Sequence, residues 1–257
     1  MGLFSKKTCS ICGGEIGLLG NRKLEDGNLC KACASKLSPW FDDRRHSTVA
    51  EIREQLDWRE ANRQAVEDFH ATRVLGESMR VYLDEDAGRF LVTSARNLRE
   101  DNPDVLDFSQ VTGCRLDVDE DRDELMRENS EGERVSYNPP RYTYSYDFYI
   151  EIQVNSPYFS RMRFRINSRS VEIDPNEARG LAGRAGAVDP RRHVDFQEYE
   201  RMGKEIVAAL SSARQDARDA AAAAAAPKMA VTCPYCGATT TPDANGRCEY
   251  CGGAIGA

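Results

Sequence analysis

Eight of the nine cysteines in this 257-residue chain fall into four Cys-x-x-Cys pairs, a spacing that belongs to metal chemistry. Cys9, Cys12, Cys30 and Cys33 form one set, spaced Cys-x2-Cys-x17-Cys-x2-Cys. Cys233, Cys236, Cys248 and Cys251 form another, spaced Cys-x2-Cys-x11-Cys-x2-Cys. Two intervening residues let both thiolates of a tight turn aim at one ion. Glycine just after a pair (Gly13, Gly237, Gly252) lets the backbone turn beneath it. Four soft thiolates in a tetrahedron favour Zn²⁺, with a rubredoxin-type iron as the alternative. The expectation is therefore two zinc ions. Four cysteines saturate such an ion and leave no position for water or substrate, so neither site is expected to be catalytic. Thioredoxin-type exchange by one pair would need a surrounding α/β domain for which neither end has the length. Modules of about 30 residues bury too little apolar surface to fold unaided, and bound metal supplies the missing free energy.

The elements that must carry these ligands differ between the ends. In "LEDGNLCKACASKLSPW" a hairpin turn at Asp26-Gly27 feeds the second pair, and a short helix ended by Pro39 follows, a treble-clef-like arrangement. In "PDANGRCEYCGG" an Asn245-Gly246 turn precedes the pair and glycines follow it, as in a zinc ribbon with two knuckles.

Between the ends, residues 38–76 read as a helical connector. Thr48 with Glu51 makes a capping box, Asp57 with Glu60 offers a second, and Trp58, Ala61, Ala65 and Phe69 form an apolar stripe that Gly76 ends. Residues 77–212 read as an antiparallel β domain closed by a helix. "MRVYLDEDAGRFLV" is two strands about an acidic turn. Cys114, Leu116 and Val118 share one strand face; Tyr144, Tyr146, Phe148, Ile150, Ile152 and Val154 share another; Met162, Phe164 and Ile166 alternate with Arg161, Arg163 and Arg165. Asp174, Pro175 and Glu177 start a short helix, and Asp195 with Glu198 caps a longer one with the stripe Phe196, Tyr199, Ile206, Leu210, flanked by Met202 and Val207. A sheet followed by one amphipathic helix suits a PH-like arrangement, which by itself carries no function. Residues 213–227 are alanine-rich. If helical from 196 to 226 they would extend a rod of about 46 Å, a stalk for the ribbon at 228–257; a frayed low-complexity linker is the alternative. The fold class is thus α+β, with a zinc module at 1–37 and a zinc ribbon at 228–257 around the PH-like domain.

Composition limits the function classes. Net charge is −7, unevenly spread: +3 over residues 1–37, zero over 227–257 and so −10 between. An acidic body argues against the whole chain coating nucleic acid. No apolar run reaches the 18 or so residues of a membrane span, and "MGLFSKKTCS" has neither a secretion signal nor, with Lys6 in place of Ser or Thr, a myristoylation pattern. Unpaired cysteines at metal spacing suit a reducing compartment, so a cytoplasmic location is expected.

Weaker constellations read as structural. Asp117, Asp119, Asp121 and Glu128 match four EF-hand positions, but Arg122 stands where glycine is needed and a strand precedes them; a solvated acidic β-turn is expected. Arg161, Arg163 and Arg165 are expected to be balanced by acids such as Glu151 on a neighbouring strand. The aromatic run from Tyr142 to Tyr149 is core rather than a base-stacking platform. Cys114 is a small core residue. His46, His70 and His193 sit in separate segments beside no nucleophile.

"CSICGGEIGLLGNRKLEDGNLCKACASKLSPWF", with "STVAEIREQL", "NPDVLDFSQVTGCRLDVDED" and "YSYDFYIEIQVNSPYFSRMRFRIN", resembles an uncharacterised bacterial domain-of-unknown-function family over about the first 170 residues. Cys9, Cys12, Cys30 and Cys33 match its motif one by one. The resemblance implies a bacterial source, zinc and the fold, and supplies no catalytic residue or substrate. The C-terminal ribbon resembles short zinc ribbons that end many unrelated bacterial proteins. The functional expectation is a non-enzymatic intracellular adaptor for protein partners. One alternative is nucleic-acid binding through Lys6, Lys7, Arg22, Lys23, Lys31 and Lys36; another is membrane-surface association through the arginines of the PH-like domain.

Overall fold

The computed structural model describes residues 7–173, 189–225, 230–243 and 245–255. The helix expected at Asp174, Pro175 and Glu177 lies outside the described residues, as do Lys6 and Pro227. Helices and antiparallel sheets are mixed along the chain, which divides into two compact units, Met1–Gln215 and Asp216–Ala257. None of the described helices is long and apolar enough to cross a membrane.

The first unit opens with two small hairpins, β1 (Lys7–Thr8) with β2 (Glu15–Ile16) and β3 (Arg22–Lys23) with β4 (Asn28–Leu29), then the single-turn helix α1 (Lys31–Ala34). α1 ends at its Ser35 cap, short of Pro39. Helix α2 (Val49–Glu67) starts where Thr48 predicts: Thr48 Oγ1 accepts from the Glu51 N–H at 3.3 Å and Glu51 Oε2 accepts from the Thr48 N–H at 2.7 Å. The helix then runs unbroken through Asp57, so no second cap forms there, and it ends at Asp68 rather than near Gly76. Gly76 instead turns β5 (Arg73–Leu75) into β6 (Arg80–Asp84); its φ of 93° and a Cβ that would collide with the Met79 carbonyl both require glycine.

The buried face of α2 also differs from the expected stripe. Ala61 is exposed, and the buried residues are Ile52, Gln55, Arg59, Asn62 and Val66. Arg59 and Asn62 face inwards because partners await them, whereas the Gln55 amide is buried without a hydrogen-bond partner among the described residues. Arg59 pairs with the buried Asp104, whose other oxygen accepts from Ser38 Oγ at 2.6 Å. Arg59 Nε also donates to the Lys36 carbonyl at 3.2 Å. Asn62 donates to Asn102 Oδ1 at 2.8 Å and the Pro103 carbonyl at 2.7 Å, and accepts from the Val105 N–H at 2.9 Å. This network stitches the segment after the first cysteine cluster, α2 and the 102–105 loop together. Burial pushes the Asp104 carboxyl up from its ordinary range, and Arg59 and Ser38 hold it partly down.

β5 and β6 continue into β7 (Arg89–Thr93) and β8 (Leu106–Asp107), an antiparallel meander with α3 (Leu98–Asp101) before its last strand. A second sheet is built on β10 (Arg134–Val154). β9 (Val111–Glu128) lines one side of it; β11 (Arg161–Arg165) and β12 (Val171–Ile173) follow each other along the opposite side. The expected alternation holds from Tyr146 on, with Phe148, Ile150, Ile152 and Val154 also buried; Tyr144 is only half-buried, and Glu151 of the other face is buried as well. The acidic run Asp117–Glu128 is strand throughout instead of a turn, and an extended strand cannot wrap a calcium ion. Beyond Tyr144, among the described residues, only β9 and β10 continue, as a two-stranded arm.

Helix α4 (Val194–Ala225) starts one residue before the expected Asp195 cap and is helical through the alanines as far as Ala225. Phe196 meets Tyr146 and Phe148 edge-on, at centroid distances of 5.1 and 4.9 Å, and Tyr199 lies 5.8 Å from Phe148. One turn on, Gly203 is buried against β9: a Cβ there would stand 2.5 Å from Leu116 Cδ1 and 3.2 Å from its Cγ. Alanine would favour the helix by about 1 kcal/mol, but overpacking costs about 1–3 kcal/mol. Gly203→Ala is therefore expected to lower stability in chemical denaturation and to raise it in a Leu116→Ala background. Equal effects in both backgrounds would mean the helix does not cross β9 there.

The second unit has β13 (Val231–Thr232) paired with β14 (Thr239–Thr240), and a bridge between Arg247 and Ala254.

Candidate metal centres

Three of the four cysteine pairs are built on one backbone device. The N–H of Cys9 donates to Gly14 O at 2.9 Å while Gly13 donates back to Cys9 O at 2.8 Å. Cys233 with Ala238 and Gly237 repeats this at 2.8 and 2.9 Å, and Cys248 with Gly253 and Gly252 at 2.8 and 2.8 Å. The turning glycines have φ of 72°, 73° and 71° at Gly13, Gly237 and Gly252. That left-handed conformation rolls the chain under the pair so that both sulfurs emerge on one side. The fourth pair differs: Cys30 is the N-cap of α1 and its Sγ accepts from the Cys33 N–H at 3.3 Å.

Each set of four then converges. Among the described residues, the sulfurs of Cys9, Cys12, Cys30 and Cys33, and those of Cys233, Cys236, Cys248 and Cys251, lie within 4.8 Å of one another. All are free thiols. A tetrahedron with about 2.3 Å metal–sulfur bonds has edges of roughly 3.8 Å. Cys12 and Cys30 stand 3.8 Å apart, Cys236 and Cys248 3.7 Å, Cys233 and Cys251 3.5 Å. The donor sets thus fit a tetrahedral ion without rearrangement, and four sulfurs fill its coordination. Cys9 Sγ also accepts from the Cys30 N–H at 3.3 Å, and Cys233 Sγ from Tyr235 N–H at 3.4 Å, which disperses thiolate charge. Burial alone would push the Cys9 thiol up, but the N–H groups of Cys12, Cys30 and Ile11 bring it down to about 6. Burial and the three neighbouring thiols push Cys33 the other way. Four crowded thiols do not all ionise alone; a divalent cation is what lets them.

Around the first cluster, Leu24, Leu29, Leu37 and Ile52 are buried with Cys9 and Cys33. α2 is tied in by Val49 N–H to Asp26 Oδ1 at 2.7 Å and Arg53 Nη2 to Ser10 O at 3.1 Å.

The remaining candidates lie outside both clusters. Cys114 pairs with Ile152 in the sheet, and burial pushes its thiol up to about 12, the state of an inert structural cysteine. His46 holds Asp43 at 2.6 Å. Two arginines of the stripe are balanced, by acids other than the expected Glu151; no ion pair forms at Arg161 among the described residues. Arg163 reaches Asp119 at 3.0 Å and Asp117 at 3.4 Å and lies 3.7 Å over the Tyr149 ring; Arg165 reaches Asp147 at 3.1 Å. Glu151 takes Arg115 at 3.2 Å.

Residues 8–55 match the family described as a domain of unknown function (DUF4428). The matched stretch holds all four cysteines of the first cluster and ends inside α2, after the Val49, Ile52 and Arg53 contacts and one residue before Leu56, which also packs against the cluster. No curated protein and no solved structure matches the chain.

Proposed function

We propose that this chain is a non-enzymatic, zinc-folded adaptor that binds other proteins in the cytoplasm. Zinc is the ion that two sets of four soft thiolates at tetrahedral spacing suit best. Ions so enclosed hold structure, which supports a role outside catalysis. Two antiparallel sheets followed by a helix packed across the second support a PH-like reading of residues 77–212, and the helix-borne fourth pair supports a treble-clef reading of the first module.

The observation that carries the adaptor reading is the arm of β9 and β10. From Asp123 and Thr143 outwards neither strand has a second neighbour among the described residues, and no residue of the arm is buried. An isolated ribbon is marginal in water and this one adds nothing to the core, which supports a role in contact with a partner. Its surface is that of an interface: Arg122 lies 4.4 Å over the Tyr142 ring, and Tyr137 sits between Arg141 at 4.5 Å and Arg127 at 5.9 Å. Both outer edges present unpaired backbone groups to an incoming strand. A register shift between Ser136 and Arg141, containing Pro139 and Pro140, guards one edge against indiscriminate pairing. The ribbon module offers a second apolar surface, with Tyr235 and Tyr250 exposed at the same position of its two knuckles.

A photo-crosslinking residue placed at Met126 or Tyr137 is expected to give discrete protein adducts in cells. Shortening the arm across residues 124–142 with an Asn-Gly turn is expected to abolish them while both metals are retained. Absence of adducts, together with turnover of a small molecule by the purified chain, would sink the adaptor reading.

A further inference from the structure

The turn between β2 and β3 is built against the usual rules. Gly20 N–H donates to Gly17 O at 2.9 Å, which closes a tight turn with Leu18 and Leu19 at its two corners. Turn corners ordinarily carry Gly, Pro, Asn or Asp. Here they carry the two most exposed large apolar side chains among the described residues, 85% and 89% accessible. Neither leucine belongs to the core around the cysteine cluster, which takes Ile16 from the strand just before them.

The chain leaves this tip directly into cations. Arg22 Nη1 reaches back to Leu19 O and Asn21 O, 3.5 Å each, so its guanidinium sits at the base of the turn. Arg22 and Lys23 form one wall of a cleft of about 800 Å³, and Arg44, Arg45 and His46 form the other. Arg44 Nη1 clamps the walls together on Lys23 O at 2.6 Å. Glu25 is the one acid of the lining. Among the described residues none of Arg22, Lys23, Arg44 and Arg45 has a carboxylate at ion-pair distance, since the nearby Asp43 is taken by His46. Burial, then the like charges of Arg45 and Arg22, lower the Arg44 pKa, as expected where cations converge without a counter-ion.

We propose that this face of the first module docks on an anionic lipid membrane, with Leu18 and Leu19 entering the acyl boundary and the four cations meeting the headgroups. An exposed apolar turn beside a cleft of cations matches the layering of a bilayer surface, acyl chains beneath anionic headgroups. A nucleic-acid backbone would use the cations but has no place for two leucines, and stacking on bases calls for aromatic rings. The −10 of the segment between 38 and 226 does not forbid this, because attraction acts only within a Debye length of roughly 8 Å. The site is distinct from the stripe of Arg161, Arg163 and Arg165, where Arg163 and Arg165 are already paired.

The test is co-sedimentation of the full chain, metal-loaded, with vesicles of phosphatidylcholine alone and with vesicles part phosphatidylglycerol. Binding is expected only to the second, weakening as salt rises. Leu18→Ser/Leu19→Ser should reduce it at least about tenfold at unchanged metal content, and Arg22→Ala/Arg45→Ala should flatten the salt dependence. Leu19→Trp, which enlarges the inserted surface, should tighten binding. No binding to anionic vesicles, or binding that survives the double leucine change, would overturn the proposal. Binding to a DNA duplex in place of vesicles, unaffected by the leucine change, would overturn it equally and reassign the cations.

Discussion

Cys33→Ser is expected to empty the first cluster and unfold residues 7–46 while the sheets remain. Only four leucine and isoleucine side chains, Leu24, Leu29, Leu37 and Ile52, are buried with the cysteines there, and one of them comes from α2. So small a core does not hold a module of that length. A structural zinc contributes about 10–16 kcal/mol of apparent folding free energy in small modules at neutral pH. Losing one ligand of four should therefore be decisive locally. It should appear as loss of dispersed amide signals and new proteolysis within 7–46, with signals from β6, β7 and β10 retained. Acid should act in the same direction. Cys9 is held at about 6, below the ordinary thiol value of 9.0, so this contribution is complete above the ordinary value and is lost as pH falls to about 6. Cys114→Ser is the control: this ninth cysteine stands outside both clusters, and its replacement should leave metal content unchanged.

Arg59→Met should cost about 3–5 kcal/mol, because it strands the Asp104 carboxylate in the interior without its partner. Against a typical total of about 5–15 kcal/mol this is a large fraction. Asp104→Leu should be comparably damaging, since it strands Arg59. The double variant should recover most of the loss, as an apolar pair of similar volume replaces both charges. Recovery stays incomplete because Ser38 Oγ and the Lys36 carbonyl also lose partners. The pH dependence has a definite sign. Burial raises the folded Asp104 pKa above its unfolded value, and losing Arg59 raises it further. Stability of Arg59→Met is thus best where Asp104 is protonated and falls as pH rises through the raised pKa, more steeply than in the native chain. Denaturant titrations of the metal-loaded proteins measure this.

The metal centres were legible because ligand chemistry writes its own spacing: Cys-x-x-Cys followed by glycine is required wherever the chain must roll under an ion, and three pairs do so identically. The buried strand of β10 was legible for an equally direct reason, since one wetted and one dry face force period-2 alternation. The failures share a cause as well. The buried face of α2 is not legible from a hydrophobic stripe, because Arg59 and Asn62 are polar and find their partners at positions 102–105. The outer part of β9 was read as a turn because a strand wet on both faces has no alternation to display. Gly76 turns a hairpin instead of ending a helix, because glycine signals positive φ without saying which turn needs it. Leu18 and Leu19 passed unnoticed, since apolar residues beside a metal module read as core until their exposure is seen.

Metal analysis of the chain as purified tests the two closed, four-sulfur centres most directly. Elemental mass spectrometry combined with X-ray absorption should find two zinc ions per chain, each with four sulfurs at about 2.3 Å and no oxygen or nitrogen ligand. Cys33→Ser and Cys251→Ser should each remove one ion and leave the other. A fully folded chain without metal, or a centre with fewer than four sulfurs and a water in the open position, would contradict such closed centres.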